Sequence, residues 1–225
     1  MTEVLCFDVY GSTHNQHSVT DTLEAVTGLP SPIVQDMSEM WVEYQISYSM
    51  EVTLMRDYRS WWDLTTESLD YVLDYYGVNL TDTEYQRVME AYKHLEPYED
   101  LANFGQLRDA GHELYILSDG NQDMLTELAE NTGFDEYLTG IVSVEDVEVF
   151  KPHPKAYENI ENYTDRSLED CTMVATHTFD VAGAQAAGMK TILVNRFNVP
   201  ATRLSHTPDM VVDSYAELAD HLSGE

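Results

Sequence analysis

Positive charge is scarce in this chain. Its 225 residues include 11 lysines and arginines against 41 aspartates and glutamates, a formal net of −30. Such a surface repels polyanions, which excludes nucleic acid and anionic membranes as partners. The acids are spread along the whole length rather than gathered in a tail. That spread reads as a halophile's cytosolic protein, kept soluble by surface carboxylates whose mutual repulsion is screened where the Debye length falls to about 3 Å, near 1 M salt. Only four lysines occur, Lys93, Lys151, Lys155 and Lys190. A lysine retained in so acidic a background invites a specific reason.

Long apolar runs are missing too. No stretch of about 18 apolar residues occurs, so no helix should span a bilayer. The start, Met1 to Asp8, lacks the basic residues and small-residue cleavage site of a secretory signal. A cytoplasmic location is therefore expected. Cysteine is limited to Cys6 and Cys171, both in apolar strand-like runs. They read as small buried core residues rather than a disulfide or metal site. Against these absences, 43% of the residues are hydrophobic, enough for one domain plus a sizeable insertion.

Glu3 to Asp8 reads as a buried strand of a parallel sheet, broken by Gly11. From about His17 to Leu95 the pattern is helical, with expected helices Thr20 to Val26, Ile33 to Tyr48, Trp61 to Tyr75 and Asp82 to His94. Thr81 with Glu84 forms a capping box for the last of these. After Pro97, strands and helices alternate. Helices are expected over Glu99 to Ala110, Gln122 to Asn131, Pro154 to Glu161, Asp180 to Ala187 and Ala216 to Leu222. Strands are expected over His112 to Leu117, Ile141 to Ser143, Thr172 to Ala175, Thr191 to Val194 and Met210 to Val212. Alternation of this kind implies right-handed crossovers, hence an α/β Rossmann-like parallel sheet with helices on both faces. The core is expected to be residues 1–13 and 96–225, and the all-helical insertion residues 14–95.

In an open parallel sheet the active site lies at the carboxyl ends of the strands. Asp8 ends the first strand, and Ser118 and Asp119 end the second. Lys151 follows the loop after Ile141 to Ser143, and Asp180 comes shortly after Thr172 to Ala175. Singly, the acids could be helix caps and the lysine a solvated charge. At successive strand ends, in this order, they read as a nucleophile, a hydroxyl, a lysine and a second carboxylate converging on one mouth.

The same residues resemble a known family. Phe7-Asp8-Val9-Tyr10-Gly11-Ser12 is similar to motif I of the haloacid dehalogenase superfamily, and Ile116-Leu117-Ser118-Asp119-Gly120 to motif II. Val149 to Pro154 with Tyr157 resembles motif III, and His177-Thr178-Phe179-Asp180 with Gly183-Ala184 resembles motif IV. Trp41 to Thr65, especially Leu54-Met55 and Trp62 to Thr65, resembles the helical cap of the type II L-2-haloacid dehalogenases.

Two positions discriminate among branches. Phosphatases of the superfamily carry an acid two residues after the nucleophile, which protonates the leaving alkoxide. Here that position is Tyr10, and a halide leaves without a proton. The phosphatases also hold Mg²⁺ with an acid pair in motif IV. Here only Asp180 matches and the other position is Thr176, so no metal or other cofactor is expected.

The resemblance implies nucleophilic catalysis through a carboxylate: Asp8 displaces halide from a 2-haloalkanoic acid, and water hydrolyses the resulting ester. It implies that Lys151 holds Asp8 ionised and that Asp180 orients or deprotonates the water. It further implies that Ser12 and Ser118 bind the nucleophile and the substrate carboxylate, and that Tyr157 supports the lysine. Tyr10, Ile46, Trp61 and Phe179 would line the pocket for halogen and alkyl group, and Asp119, Tyr157 and His177 are counted with them as substrate-binding residues. Departures accompany the match. Val42 stands where the family has a halide-accepting arginine, Asp119 where it has an asparagine, Ala175 for a serine and His177 for an asparagine. His177 also reads as a core-edge histidine at a strand end. A superfamily phosphatase and a catalytically altered protein on the same fold are the alternatives. A small-molecule substrate is the expected partner. A homodimer is expected from the resemblance and from Trp61, Trp62, Tyr71, Tyr75 and Tyr76 in the cap.

Overall fold

The structure is a computed structural model and describes residues 2–200 and 202–224. The chain begins with strand β1, Val4–Phe7, and a two-residue strand β2, His14–Asn15. Four helices follow: α1 Thr20–Thr27, α2 Ser31–Met55, α3 Trp61–Tyr76 and α4 Asp82–Lys93. A short strand β3, Glu96–Pro97, precedes α5, Phe104–Asp109. The remainder alternates: β4 Glu113–Ser118, α6 Gln122–Thr132, β5 Gly140–Ser143, α7 Pro154–Glu158, β6 Cys171–Ala175, α8 Thr178–Ala187, β7 Lys190–Val194, β8 Met210–Val212 and α9 Tyr215–Ser223.

Six strands form one parallel sheet in the order β5-β4-β1-β6-β7-β8. Successive side chains of a strand point to opposite faces, and the core divides accordingly. Leu5 and Phe7 pack with Ile116, Phe104 and Tyr215 on one side. Val4 and Cys6 pack with Leu117, Met173 and Tyr157 on the other. Cys6 and Cys171 are free and buried in that second layer. Central β1 is buried throughout, so the first residue beyond it, Asp8, sits at the middle of the sheet's carboxyl edge.

Local chemistry sets the helix boundaries. Both Thr81–Glu84 and Ser60–Asp63 form reciprocal capping boxes at the starts of α4 and α3. Helix α2 runs past the expected Tyr48 to Met55, because no breaker intervenes before Arg56. Arg56 adopts φ 58 and its N–H closes onto Val52 and Thr53 carbonyls. The single helix expected over Glu99 to Ala110 is instead a 3-10 turn, Glu99–Asn103, followed by α5. There the Asp100 carboxylate is held away from the helix by the Tyr215 N–H at 2.8 Å and by Arg196 at 3.2 Å. The helix expected to reach Glu161 turns 3-10 at Asn159, whose amide bonds the Ser143 carbonyl at 3.0 Å. The antiparallel β2–β3 pair was not expected, since each strand has only two residues. Of the five cap aromatics, Trp61 is buried and Tyr71 is bonded to Tyr44 at 2.8 Å, while Tyr75 is exposed. Among the described residues no helix is long and apolar enough to cross a membrane.

Candidate active site

The carboxyl edge of the sheet delivers the polar side chains. Asp8 extends β1, its N–H donating to the Val174 carbonyl of β6 at 3.2 Å. The chain then folds back sharply: the N–H groups of Ser12, Thr13 and His14 all reach the Val9 carbonyl. Gly11 makes this turn possible with φ 76, and a Cβ there would stand 2.8 Å from the His177 ring. Asp119 follows β4, Lys151 lies in the loop after β5, and His177, Phe179 and Asp180 stand at the start of α8. Helices α2 and α3 contribute Ile46 and Trp61 to the lining.

Asp8, Tyr10, Gln16, Ile46, Trp61, Asp119, Lys151, His177, Phe179 and Asp180 enclose a cavity of about 20 Å³. That is room for about one water molecule. Lys151 is buried at its floor, with Nζ 3.2 Å from Asp8 Oδ1 and 2.9 Å from Asp180 Oδ2. The Tyr157 hydroxyl donates to Asp180 Oδ1 at 2.9 Å. His177 Nδ1 lies 3.6 Å from Asp8 Oδ2. Asp119 Oδ1 accepts the Lys151 backbone N–H at 3.0 Å.

One ammonium thus bonds two carboxylates, a third receives only a backbone N–H, and the three titrate differently. Burial opposes the charge on Asp8, but Lys151 and His177 outweigh it and hold this carboxyl below the ordinary range. Burial raises Asp180, with Asp8 adding to the rise and Lys151 only partly offsetting it. Asp119, also raised by burial and helped less by Lys151, is pushed up to about 7. Burial works against the Lys151 charge, yet Asp180 and Asp8 hold its ammonium well above the usual lysine range. The outcome is an ionised, aimed carboxylate on Asp8 beside a more basic one on Asp180.

The pocket walls are aromatic and tightly fitted. Tyr10 stacks on Tyr92 at 5.7 Å and lies 5.4 Å from Trp61. Gly120 allows this, because a Cβ there would meet the Tyr10 ring at 2.7 Å. Two hydrogen bonds tie the helical insertion to the site loops: Trp62 N–H to Asn121 Oδ1 at 2.9 Å, and Phe150 N–H to Thr53 Oγ1 at 3.0 Å.

Nine of the twelve residues singled out from sequence therefore meet at one cavity, and three do not line it. The Ser12 hydroxyl faces away, accepting the Thr176 N–H at 3.0 Å. Thr176, which stands where an acid would hold a metal, donates its own hydroxyl to the Gly11 carbonyl at 2.8 Å. Ser118 is fully buried, with its oxygen 3.4 Å from the Gly120 N–H. Tyr157 supports Asp180, not the lysine. Gln16 was missed: nothing in the polar run His14 to Ser18 marks it, yet it is 4% exposed and on the wall. Val42 does not line the cavity. Among the described residues no group of three or more His, Cys, Asp or Glu is placed to hold a metal.

Comparison with known proteins gives concordant matches. A family model described as a haloacid dehalogenase-like hydrolase matches residues 2–188. The (S)-2-haloacid dehalogenase 1 of Pseudomonas sp. (strain CBS-3) is 34% identical over 168 residues, 74% of each chain. The haloacetate dehalogenase H-2 of Moraxella sp. (strain B) is 29% identical over 211 residues, 93% of each. Among solved structures, the L-2-haloacid dehalogenase of Xanthobacter autotrophicus with chloropropionic acid covalently bound superposes with a TM-score of 0.90. It is 27% identical and covers 100% of this chain and 99% of its own.

Proposed function

The chain belongs to the haloacid dehalogenase-like hydrolase family, and from that premise we propose that it hydrolyses the carbon–halogen bond of small 2-haloalkanoic acids through an ester on Asp8. The observation that carries this reading is the Lys151 ammonium seated between Asp8 and Asp180 beneath a water-sized cavity. An Asp8 oxygen attacks the carbon bearing the halogen in line, a carbon–oxygen bond forms, and halide leaves with the bonding electrons. Water then adds to the ester carbonyl of Asp8. Asp180, raised by its surroundings, is suited to orient that water or accept its proton. The alkoxide of the 2-hydroxy acid leaves and takes up a proton. The Asp8 carboxylic acid releases its own proton to solvent, so one proton and one halide are produced per turnover.

The small cavity favours acids of two or three carbons, and loading them requires Ile46 and Trp61 to give way at the mouth. In this reading residues 14–95 act as a cap over a core of residues 1–13 and 96–225. The net charge of −30 supports a cytosol of concentrated salt as the working medium. Exposed Leu54, Met55 and Tyr75 support association into a homodimer.

The test is halide release from chloroacetate and 2-chloropropanoate in molar KCl, beside hydrolysis of a generic aryl phosphate. Halide release that survives a chelator, with no phosphate release, is expected. Chelator-sensitive phosphate release without halide release overturns the reading.

A further inference from the structure

The three carboxylates in this cavity are not equivalent in their partners. Lys151 Nζ bonds Asp8 and Asp180 at 3.2 and 2.9 Å, and Asp180 has Tyr157 besides. Asp119 receives only a backbone N–H, on Oδ1. Among the described residues no protein hydrogen bond reaches its other oxygen, and the residue lines the cavity. The groups whose charge acts on or with Asp119 are Asp8 at the end of β1, Asp180 on α8, Lys151 in the β5–α7 loop, Tyr58 ahead of α3 and Tyr157 on α7, and His177 lines the same cavity. The Lys151 ammonium is already shared by the two carboxylates it bonds, Asp8 and Asp180. A substrate bearing its own carboxylate would bring a fourth negative charge into this space.

We propose that Asp119 acts as a neutral carboxylic acid when substrate binds, donating its proton in a hydrogen bond to the carboxylate of the 2-haloacid. Carboxylate binding is thereby coupled to a proton. This assignment rests on the proposed dehalogenase reading for its ligand. Clustered carboxylates oppose one another's ionisation, and the proton settles on the carboxyl with the weakest cationic support. Burial and the two neighbouring carboxylates push Asp119 up to about 7, so both forms are accessible near neutrality. By reciprocity, a bound carboxylate must make Asp119 hold its proton more tightly.

The sign follows. Below about 7 the donor is present and binding is at its strongest. Above it, each bound anion must bring one proton, so affinity falls about tenfold per pH unit. A protonated His177 would produce a loss in the same direction, so the test must separate the two groups.

Propanoate, which has the substrate's carboxylate but no leaving group, is the probe. Its binding to the full chain is followed by calorimetry in molar KCl from roughly pH 5.5 to 9, in buffers of different ionisation enthalpy. The expected result for the unsubstituted protein is a tenfold loss of affinity per pH unit above about 7, with uptake of one proton on binding. In Asp119→Asn both the slope and the proton uptake should vanish, and in His177→Gln both should remain. Asp119→Ser, which also keeps a hydroxyl donor, gives a second reading should the amide variant fold poorly. A flat pH profile in the unsubstituted protein overturns the proposal, as does a slope that persists in Asp119→Asn or disappears in His177→Gln. Failure of propanoate to bind at any pH overturns it too. Halide release is measured separately, so pH-linked propanoate binding without dehalogenation would reject the enzymatic reading and not this one.

Discussion

Replacing Lys151 with methionine would keep the apolar stem and delete the ammonium. The side chain is 2% exposed, so almost no water is at hand to take over its role. Removing one member of a buried ion pair costs about 3–5 kcal/mol, because the charges left behind are stranded. At about 2–4 °C per kcal/mol for a chain of this size, Tm should fall by roughly 6–20 °C at neutral pH. The deficit must also depend on pH, and its sign can be fixed. In the native protein Asp8 is held below its ordinary range, so it contributes stability that is present above its unfolded pKa and lost as pH falls. Without Lys151 the Asp8 carboxyl rises above its unfolded value and that of Asp180, already raised, climbs further. The variant's stability is then greatest in acid and is lost as pH rises through those raised values. The gap in Tm between the two proteins should therefore be small near pH 4 and largest above neutrality. Thermal unfolding followed by circular dichroism in molar KCl, from about pH 4.5 to 8.5, measures it. A gap under about 3 °C at pH 8, or one that shrinks as pH rises, would refute the account of Lys151 as the buried counter-charge. Turnover by the variant should be absent throughout.

Three further outcomes are expected. Asp8→Asn should abolish halide release while keeping the far-UV spectrum, and in labelled water over many turnovers the unsubstituted protein should gain label on the Asp8 peptide. Label in the product alone would mean direct attack by water. Gly183→Ala would place a Cβ 2.5 Å from both Pro152 Cβ and the Tyr157 hydroxyl. That overpacking should cost about 1–3 kcal/mol and weaken the Tyr157 support of Asp180, seen as lower Tm together with lower kcat. Finally, Tm should climb as KCl rises from low to molar concentration, since the net charge of −30 is then screened. A flat or falling Tm would count against the salt reading.

Much of the architecture could be read along the chain because it depends on near neighbours in sequence. The unbroken apolar run Val4 to Phe7, the Thr81–Glu84 capping box and the strand–helix rhythm after Pro97 each depend on residues within a few positions of one another. Parallel strands share one carboxyl edge, so Asp8, Asp119, Lys151 and Asp180 were bound to converge once their strands were recognised. Which way a side chain turns at that edge is a different matter, decided by partners far away in the chain. Ser12 is drawn off the cavity by Thr176, 164 residues later, and Tyr157 finds Asp180 instead of Lys151. Gln16 reaches the wall only because the chain doubles back at Gly11. The tertiary structure alone decided which two of three acids the one ammonium bonds. Lys151 directs its ammonium to Asp8 and Asp180 and gives Asp119 only a backbone N–H, and where little water screens the charges that unequal support bears on which carboxyl keeps its proton.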